Sequence, residues 1–403
     1  MRRSRLASAS AILGLGAICL PLLAGCSSTT TRPPRVVTTK TQQAELTVAH
    51  LIANDTFGVS AAISGETAVV GTAGTSYVGR AYVFTKTATG WDQAAELKGS
   101  DTVAQDGFGG TVAISGTTIV VGAVDNANFA GRAYVFTKTP SGWTQVAELK
   151  GSDTVADDSF GWSVAISGST VLVGAVGHSK FAGRVYVFTK TTGGAWSQTA
   201  ELTASDARAK DAFGTCVAIS GTNAVVGAQG VAKGAGAAYF FADTANGWQQ
   251  VAEAKGSDTV AGDNFGISAA ISGPTAVVGA YGHARNTGRA YVFVHKSGVW
   301  TQVAELKGSD AKTGDFSGIS TAISGSTVLV GASGHAKGAG RVYEFRKSQS
   351  GWTEKALLKG SDTVAGDAFG VAVGLSGTTA VIGADDHDHR AGRAYVFSNL
   401  NDS

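Results

Sequence analysis

From Phe57 onward the apolar positions fall in short runs broken by glycine, serine and threonine. One unit reads Phe108-Gly109-Gly110-Thr111-Val112-Ala113-Ile114-Ser115, a Gly116 turn, Thr118-Ile119-Val120-Val121-Gly122-Ala123, a loop, Gly131-Arg132-Ala133-Tyr134-Val135-Phe136, a turn, and Trp143 to Leu149. Runs of four to eight β-branched and aromatic residues between tight-turn residues predict four short strands, a to d, and no stretch has helical periodicity. The unit recurs at Phe57, Phe108, Phe160, Phe213, Phe265, Ser317 and Phe369, always within one residue of a 52-residue period. Seven units of four strands predict an all-β, seven-bladed propeller of four-stranded antiparallel blades. Residue size agrees: strand a is built from small residues, as blades converging on an axis require, and strands c and d carry Tyr, Phe and Trp.

The last unit stops after Phe397 without a strand d, and Gln42-Gln43-Ala44-Glu45-Leu46 stands unclaimed ahead of the first unit. The pair predicts that the N-terminal strand closes the last blade, removing both sheet edges that would otherwise invite aggregation.

In register, Phe-Gly followed by Val-Gly-Ala, as in Phe160-Gly161 with Val173-Gly174-Ala175, resembles the FG-GAP repeat, over about Gln42 to Phe397. That family includes the propeller heads of integrin α-chains and many bacterial surface proteins, so the resemblance implies extracellular binding. Kelch repeats are the weaker resemblance, because the double glycine they need is absent. The resemblance also implies calcium loops between strands a and b in some members. Here those connections are as short as Ser115-Gly116-Thr117, with too few oxygens for a hard cation, so no calcium is expected in them.

Ahead of the repeats, Arg2, Arg3 and Arg5 precede an apolar run from Ala11 to Leu23 and then Leu23-Ala24-Gly25-Cys26. The run is too short to span a bilayer and ends in small residues, so residues 1–25 read as a signal peptide. The Leu-Ala-Gly-Cys ending resembles a bacterial lipobox, which implies lipid attachment at Cys26. Residues 26–40 then read as a lipidated flexible tether, and 41–403 as the propeller. The expected location is the bacterial cell envelope, extracytoplasmic and anchored to the membrane through lipid on Cys26.

Of three cysteines, Cys19 leaves with the signal and Cys26 carries lipid, so Cys216 stands alone, at a position where sibling units have small residues. No intramolecular disulfide is expected, and an inert buried thiol is. The chain holds 32 Lys and Arg against 30 Asp and Glu, three of the arginines lying in the leader. Such a balance excludes a nucleic-acid binder by charge. A monomer with no cofactor is expected.

Candidate chemistry lies in the two longer connections, d-to-a and b-to-c, which share one face. Aspartates five residues apart recur at Asp101 and Asp106, Asp153 and Asp158, Asp206 and Asp211, Asp258 and Asp263, Asp310 and Asp315, and Asp362 and Asp367. A catalytic group is needed once, not once per blade, so these read as turn-stabilising carboxylates. The arginine opening strand c, at Arg80, Arg132, Arg184, Arg289, Arg341 and Arg393, is expected to bind them. Less uniform are the b-to-c loops with His178 and Lys180, His283 and Arg285, His335 and Lys337, and His387 and His389, which form the candidate ligand face for a protein or glycan. Asp385 to His389 holds metal-type ligands, yet neighbours on one loop rarely converge on a zinc ion, so it reads as solvated loop and no metal is assigned. No unrepeated pairing of acid and base or of nucleophile and base is apparent, so the expected activity is non-enzymatic. A polysaccharide-acting enzyme and a scaffold subunit of an envelope complex are the alternatives.

Overall fold

The computed structural model describes residues 37–74 and 79–400, which form seven sheets, each with a four-stranded antiparallel blade in the order the repeat predicts. Blade 3 is typical, with strands a (Phe160–Ser167), b (Thr170–Ala175), c (Arg184–Lys190) and d (Trp196–Leu202). The seven a strands line a central channel with Ile63, Ile114, Ile166, Ile219, Ile271, Ile323 and Leu375. The leader, Cys26 and the tether up to residue 36 lie outside the described residues.

Two hydrogen-bond series show that the array closes. Each a-to-b hairpin takes a serine hydroxyl from the preceding blade onto its glycine N–H, from Gly116 N–H to Ser64 Oγ round to Gly377 N–H to Ser324 Oγ, both 3.0 Å. The seventh bond, Gly65 N–H to Ser376 Oγ at 3.0 Å, joins the first blade to the last. The N-terminal strand β2 (Ala44–Leu46) pairs antiparallel with Arg393–Phe397, Leu46 opposite Ala394. It also copies the side-chain bonds of a true strand d. Gln42 accepts from Ser361 N–H at 2.9 Å, as Gln145 does from Ser100 N–H at 2.9 Å. Glu45 binds Arg393 at 3.0 Å, as Glu201 binds Arg184 at 2.7 Å.

Hydrophobic burial lies between blades rather than at one centre. Each of the seven core clusters joins one blade to the next, and the closing one unites Leu46, Val381, Ala394 and Val396 with Phe57, Ile63, Val70 and Phe84. The recurrent phenylalanine is buried against two rings of strand c. Phe160 meets Tyr186 at 5.4 Å and Phe188 edge-on at 6.0 Å, within the range where aromatic pairs add to simple burial. The glycine after it has φ +93° at Gly161, and a Cβ there would lie 2.4 Å from the Arg132 carbonyl of the neighbouring blade, so only glycine fits.

One boundary differs from expectation. The tether does not reach residue 40, because Thr38–Thr41 forms a strand, β1, running parallel to strand d of blade 6 (Gly351–Lys359). The reason lies in blade 6 itself. Where sibling c strands carry Val83, Val135 or Val187, this one has Glu344, fully buried, and Arg346 follows. Arg346 Nε holds one carboxylate oxygen at 2.6 Å, and Lys40 of β1 approaches the other at 3.4 Å. A buried carboxylate needs compensating cations, and β1 supplies one of them.

Candidate binding face

The d-to-a loops and b-to-c turns form one face, and repeated polar bonds fix both. In blade 3 the first aspartate of the entering loop, Asp153, accepts from the Tyr186 hydroxyl at 2.6 Å and from Arg184 at 2.9 Å. The second, Asp158, accepts from Val155 N–H at 3.0 Å, capping its own loop, and from His178 Nδ1 at 3.0 Å. The capping bond recurs at all seven loops, from Asp55 with Ile52 N–H to Asp367 with Val364 N–H. The aspartate pairs are therefore structural, as their once-per-blade recurrence implies.

Electrostatics follow from this packing. Burial, then the hydrogen bond to Asp153, pushes the Tyr186 phenol well above its ordinary range, and Tyr134, Tyr239, Tyr291 and Tyr395 are alike. For Asp153, burial works to raise the carboxyl, but the Tyr186 bond, Arg184 and His178 outweigh it and hold it below the usual carboxylate range. Arg184, Arg341 and Arg393 bind entering-loop aspartates as expected, Arg184 and Arg393 holding the outer-strand Glu201 and Glu45 as well, whereas Arg132 and Arg289 hold Glu148 and Glu305 of strand d, and Arg80 bonds Glu96.

The histidines face inward. His178, His283, His335 and His387 each turn Nδ1 to the second aspartate of their blade, at 3.0, 2.9, 2.9 and 2.8 Å, with Nε2 within 3.9 Å of the first. The signal was present in the sequence as a constant offset of 20 residues from aspartate to histidine. In blade 2 Asn126 takes the same role toward Asp106 at 2.9 Å. Lys180, Arg285, Lys337 and His389, the other candidate residues, are exposed on the turns beside them.

These turns are left-handed. Ser179, Lys180 and Phe181 have φ of 51°, 62° and 64°, and five other turns repeat the pattern. Left-handed residues other than glycine cost roughly 1–2 kcal/mol each. Hydrogen bonds to the next blade offset that cost: the carbonyls of Lys180, Phe181 and Ala182 accept from Lys210, Ala212 and Phe213 at 3.2, 2.8 and 3.1 Å.

Two groups of metal-type ligands are already engaged. Asp258, His283 and Glu305 bring ligand atoms within 4.8 Å of one another, but Tyr291 donates to Asp258 at 2.7 Å and Arg289 is bonded to Glu305. Between Asp385 and His389, His387 turns to Asp367, Asp386 binds Arg390 at 3.0 Å and His389 meets Asp388 at 3.2 Å. Burial, then the neighbouring Asp386, pushes the Asp385 carboxyl up to about 6. Cys216 replaces the serine or threonine of blades 1, 2, 3, 5 and 6 and directs its thiol to the Gly266 carbonyl at 3.2 Å, and burial pushes it up to about 12.

The FG-GAP repeat model matches residues 41–84, 91–136, 143–188, 196–241, 248–293, 300–345 and 352–397. The chain belongs to the FG-GAP repeat family. Each matched FG-GAP unit starts at an outer strand and ends in strand c of the next blade, so the first unit necessarily donates its outer strand to the last blade. No curated protein is similar enough to this FG-GAP chain to count as a relative. Among solved structures, a chain of the "Crystal Structure of Mitotic Checkpoint Complex" is similar at a TM-score of 0.57 and 13% identity, over 95% of this chain and 99% of that one. At that identity the likeness shows a shared propeller architecture and says nothing of function.

Proposed function

We propose that this FG-GAP propeller is a non-enzymatic binding module, held at a bacterial cell envelope by lipid on Cys26, whose long-loop face meets an extracytoplasmic protein or glycan. One observation carries the reading. The repeated carboxylates, phenols and imidazoles of that face are engaged in bonds that fix its loops, which makes a rigid platform, while a few unrepeated side chains stand exposed on it. Rigid scaffolds that present variable loops are a recurrent design for recognition. Several acyl chains on Cys26, at about 0.8 kcal/mol per buried CH₂, would hold such a platform at a membrane. Among the described residues no helix is long and apolar enough to cross one.

The reading is tested by expressing the full chain in bacteria and fractionating the cells. The wild type is expected in the membrane fraction and labelled by a clickable fatty acid, and Cys26→Ser in neither state. Envelope extract passed over immobilised full chain is expected to leave a retained protein or glycan. Failure to retain either would end the binding reading, and an unlabelled wild type would end the anchor.

A further inference from the structure

We infer that the long-loop face carries a saccharide-binding groove across blades 1 to 3, assembled where the chain departs from its own repeat. This inference rests on the binding-module reading and names the class of ligand.

The first departure is at the start of the b-to-c turn. In blades 3 to 6 it is Gly177, Gly230, Gly282 and Gly334, and a Cβ on any of them would lie 2.0, 1.9, 2.1 or 2.1 Å from a carbonyl of the entering loop. Loop and turn therefore leave no room for a side chain at that position in those blades, whereas in blade 2 the backbone bond between them, Asp125 N–H to the Asp106 carbonyl at 3.1 Å, is kept beside a side chain. In blades 2 and 7 the residue is Asp125 or Asp386, and at this place there is a cleft, of about 610 Å³ in blade 2 and about 470 Å³ in blade 7. The larger is a volume typical of small-ligand sites.

The second departure adjoins the blade 2 cleft. Its floor residue Gly107 is shared with a further hollow of about 290 Å³, walled by Gly110, Thr111 and the indole of Trp162. Trp162 is 45% exposed and stands where the other blades carry Val59, Gly110, Thr215, Ile267, Ile319 and Val371. The neighbouring blade has glycine at the same position, and Gly110 and Trp162 wall the same hollow. Phe129, which lines the blade 2 cleft, is 51% exposed.

The two hollows thus offer exposed aromatic rings, Phe129 on the larger and Trp162 on the smaller, together with hydrogen-bonding groups. Asp106 is occupied by Val103 N–H and Asn126. The carboxylate of Asp125 has no hydrogen-bond partner among the described residues, and Gln105 and Asn128 line the same space. Carboxylates accept from hydroxyls, and carboxamides both donate and accept. The electron-rich face of an aromatic ring attracts the slightly positive C–H groups on the flat side of a pyranose. A neutral oligosaccharide of two or three hexopyranoses satisfies both demands, one ring on Trp162 and the next with its hydroxyls on Asp125. Acidic sugars are disfavoured by Asp106 and Asp125, and among the described residues no lysine or arginine lines either hollow.

The test uses detergent-solubilised full chain, with maltotriose, cellotriose, mannotriose and xylotriose as probes and titration calorimetry and tryptophan fluorescence as readouts. A hyaluronan tetrasaccharide and pentalysine serve as the acidic and cationic alternatives. Trp162→Val and Asp125→Gly each install a residue that sibling blades already carry, so both variants are expected to keep the wild-type melting curve. At least one neutral trisaccharide is expected to bind, with affinity at least tenfold weaker in each variant and unchanged in Asp386→Gly. The inference is overturned if no neutral probe binds, if only hyaluronan or pentalysine binds, or if both variants bind like wild type. Should envelope extract still yield a retained partner in any of those cases, the binding module stands and the saccharide groove alone falls.

Discussion

Leu46→Ala tests ring closure at a single side chain. Leu46 is 1% exposed and packs across the seam between the last blade and the first, with Phe57, Ala394 and Val396 in the same core cluster. Its environment matches that of Leu149, 2% exposed at the corresponding place in blade 2. Truncating a buried leucine costs roughly 2–5 kcal/mol, through lost transfer energy and the cavity left behind. An exposed leucine on an unattached segment would change stability by no more than about 0.5 kcal/mol. Guanidinium unfolding followed by both circular dichroism and tryptophan fluorescence supplies the measurement, with coincidence of the two probes as the check on two-state behaviour. Leu46→Ala and Leu149→Ala should lower the midpoint by similar amounts at similar m-value. A near-wild-type Leu46→Ala beside a clearly destabilised Leu149→Ala would refute closure by β2.

Lys40→Ala should destabilise by about 1–3 kcal/mol by leaving the buried Glu344 short of a cation, whereas Glu344→Val, which restores the sibling residue, should be neutral or stabilising in denaturant melts; the reverse order would refute the account of β1 docking. The raised Asp385 carboxyl favours its protonated form in the folded state, so its contribution is complete below the unfolded value near 3.8 and is lost as pH rises to about 6. Stability of the wild type relative to Asp385→Asn should accordingly fall across that window, and parallel pH profiles would count against burial of the carboxyl. Cys216, pushed up to about 12, should resist iodoacetamide at pH 8 in the folded protein and react readily in 6 M guanidinium; its stability contribution is likewise lost above about pH 9, a decline that Cys216→Ser should lack.

The strand pattern, the number of blades and the donated strand were all legible in the sequence, because each depends on local periodicity repeated seven times. Alternation of small and bulky residues chose strands and their position between hub and rim, and the spare Gln42–Leu46 segment had only one sheet to complete. The structural role of the aspartate pairs was legible too, from their once-per-blade recurrence and ordinary turn chemistry. What escaped depended on side chains far apart in the chain. Nothing local to His178 reveals that its imidazole turns to Asp158 instead of to solvent. Nothing local to Thr38 reveals that a buried Glu344, over 300 residues away, recruits Lys40 and orders a strand from what composition presents as a tether. The groove beside Trp162 is of the same kind: a glycine-to-aspartate change and one unusual tryptophan are plain in the repeats, but only the folded packing shows that both border hollows sharing Gly107. Periodicity specifies which atoms belong to each blade, and three-dimensional packing decides which of them are spent on one another and which are left to meet a partner.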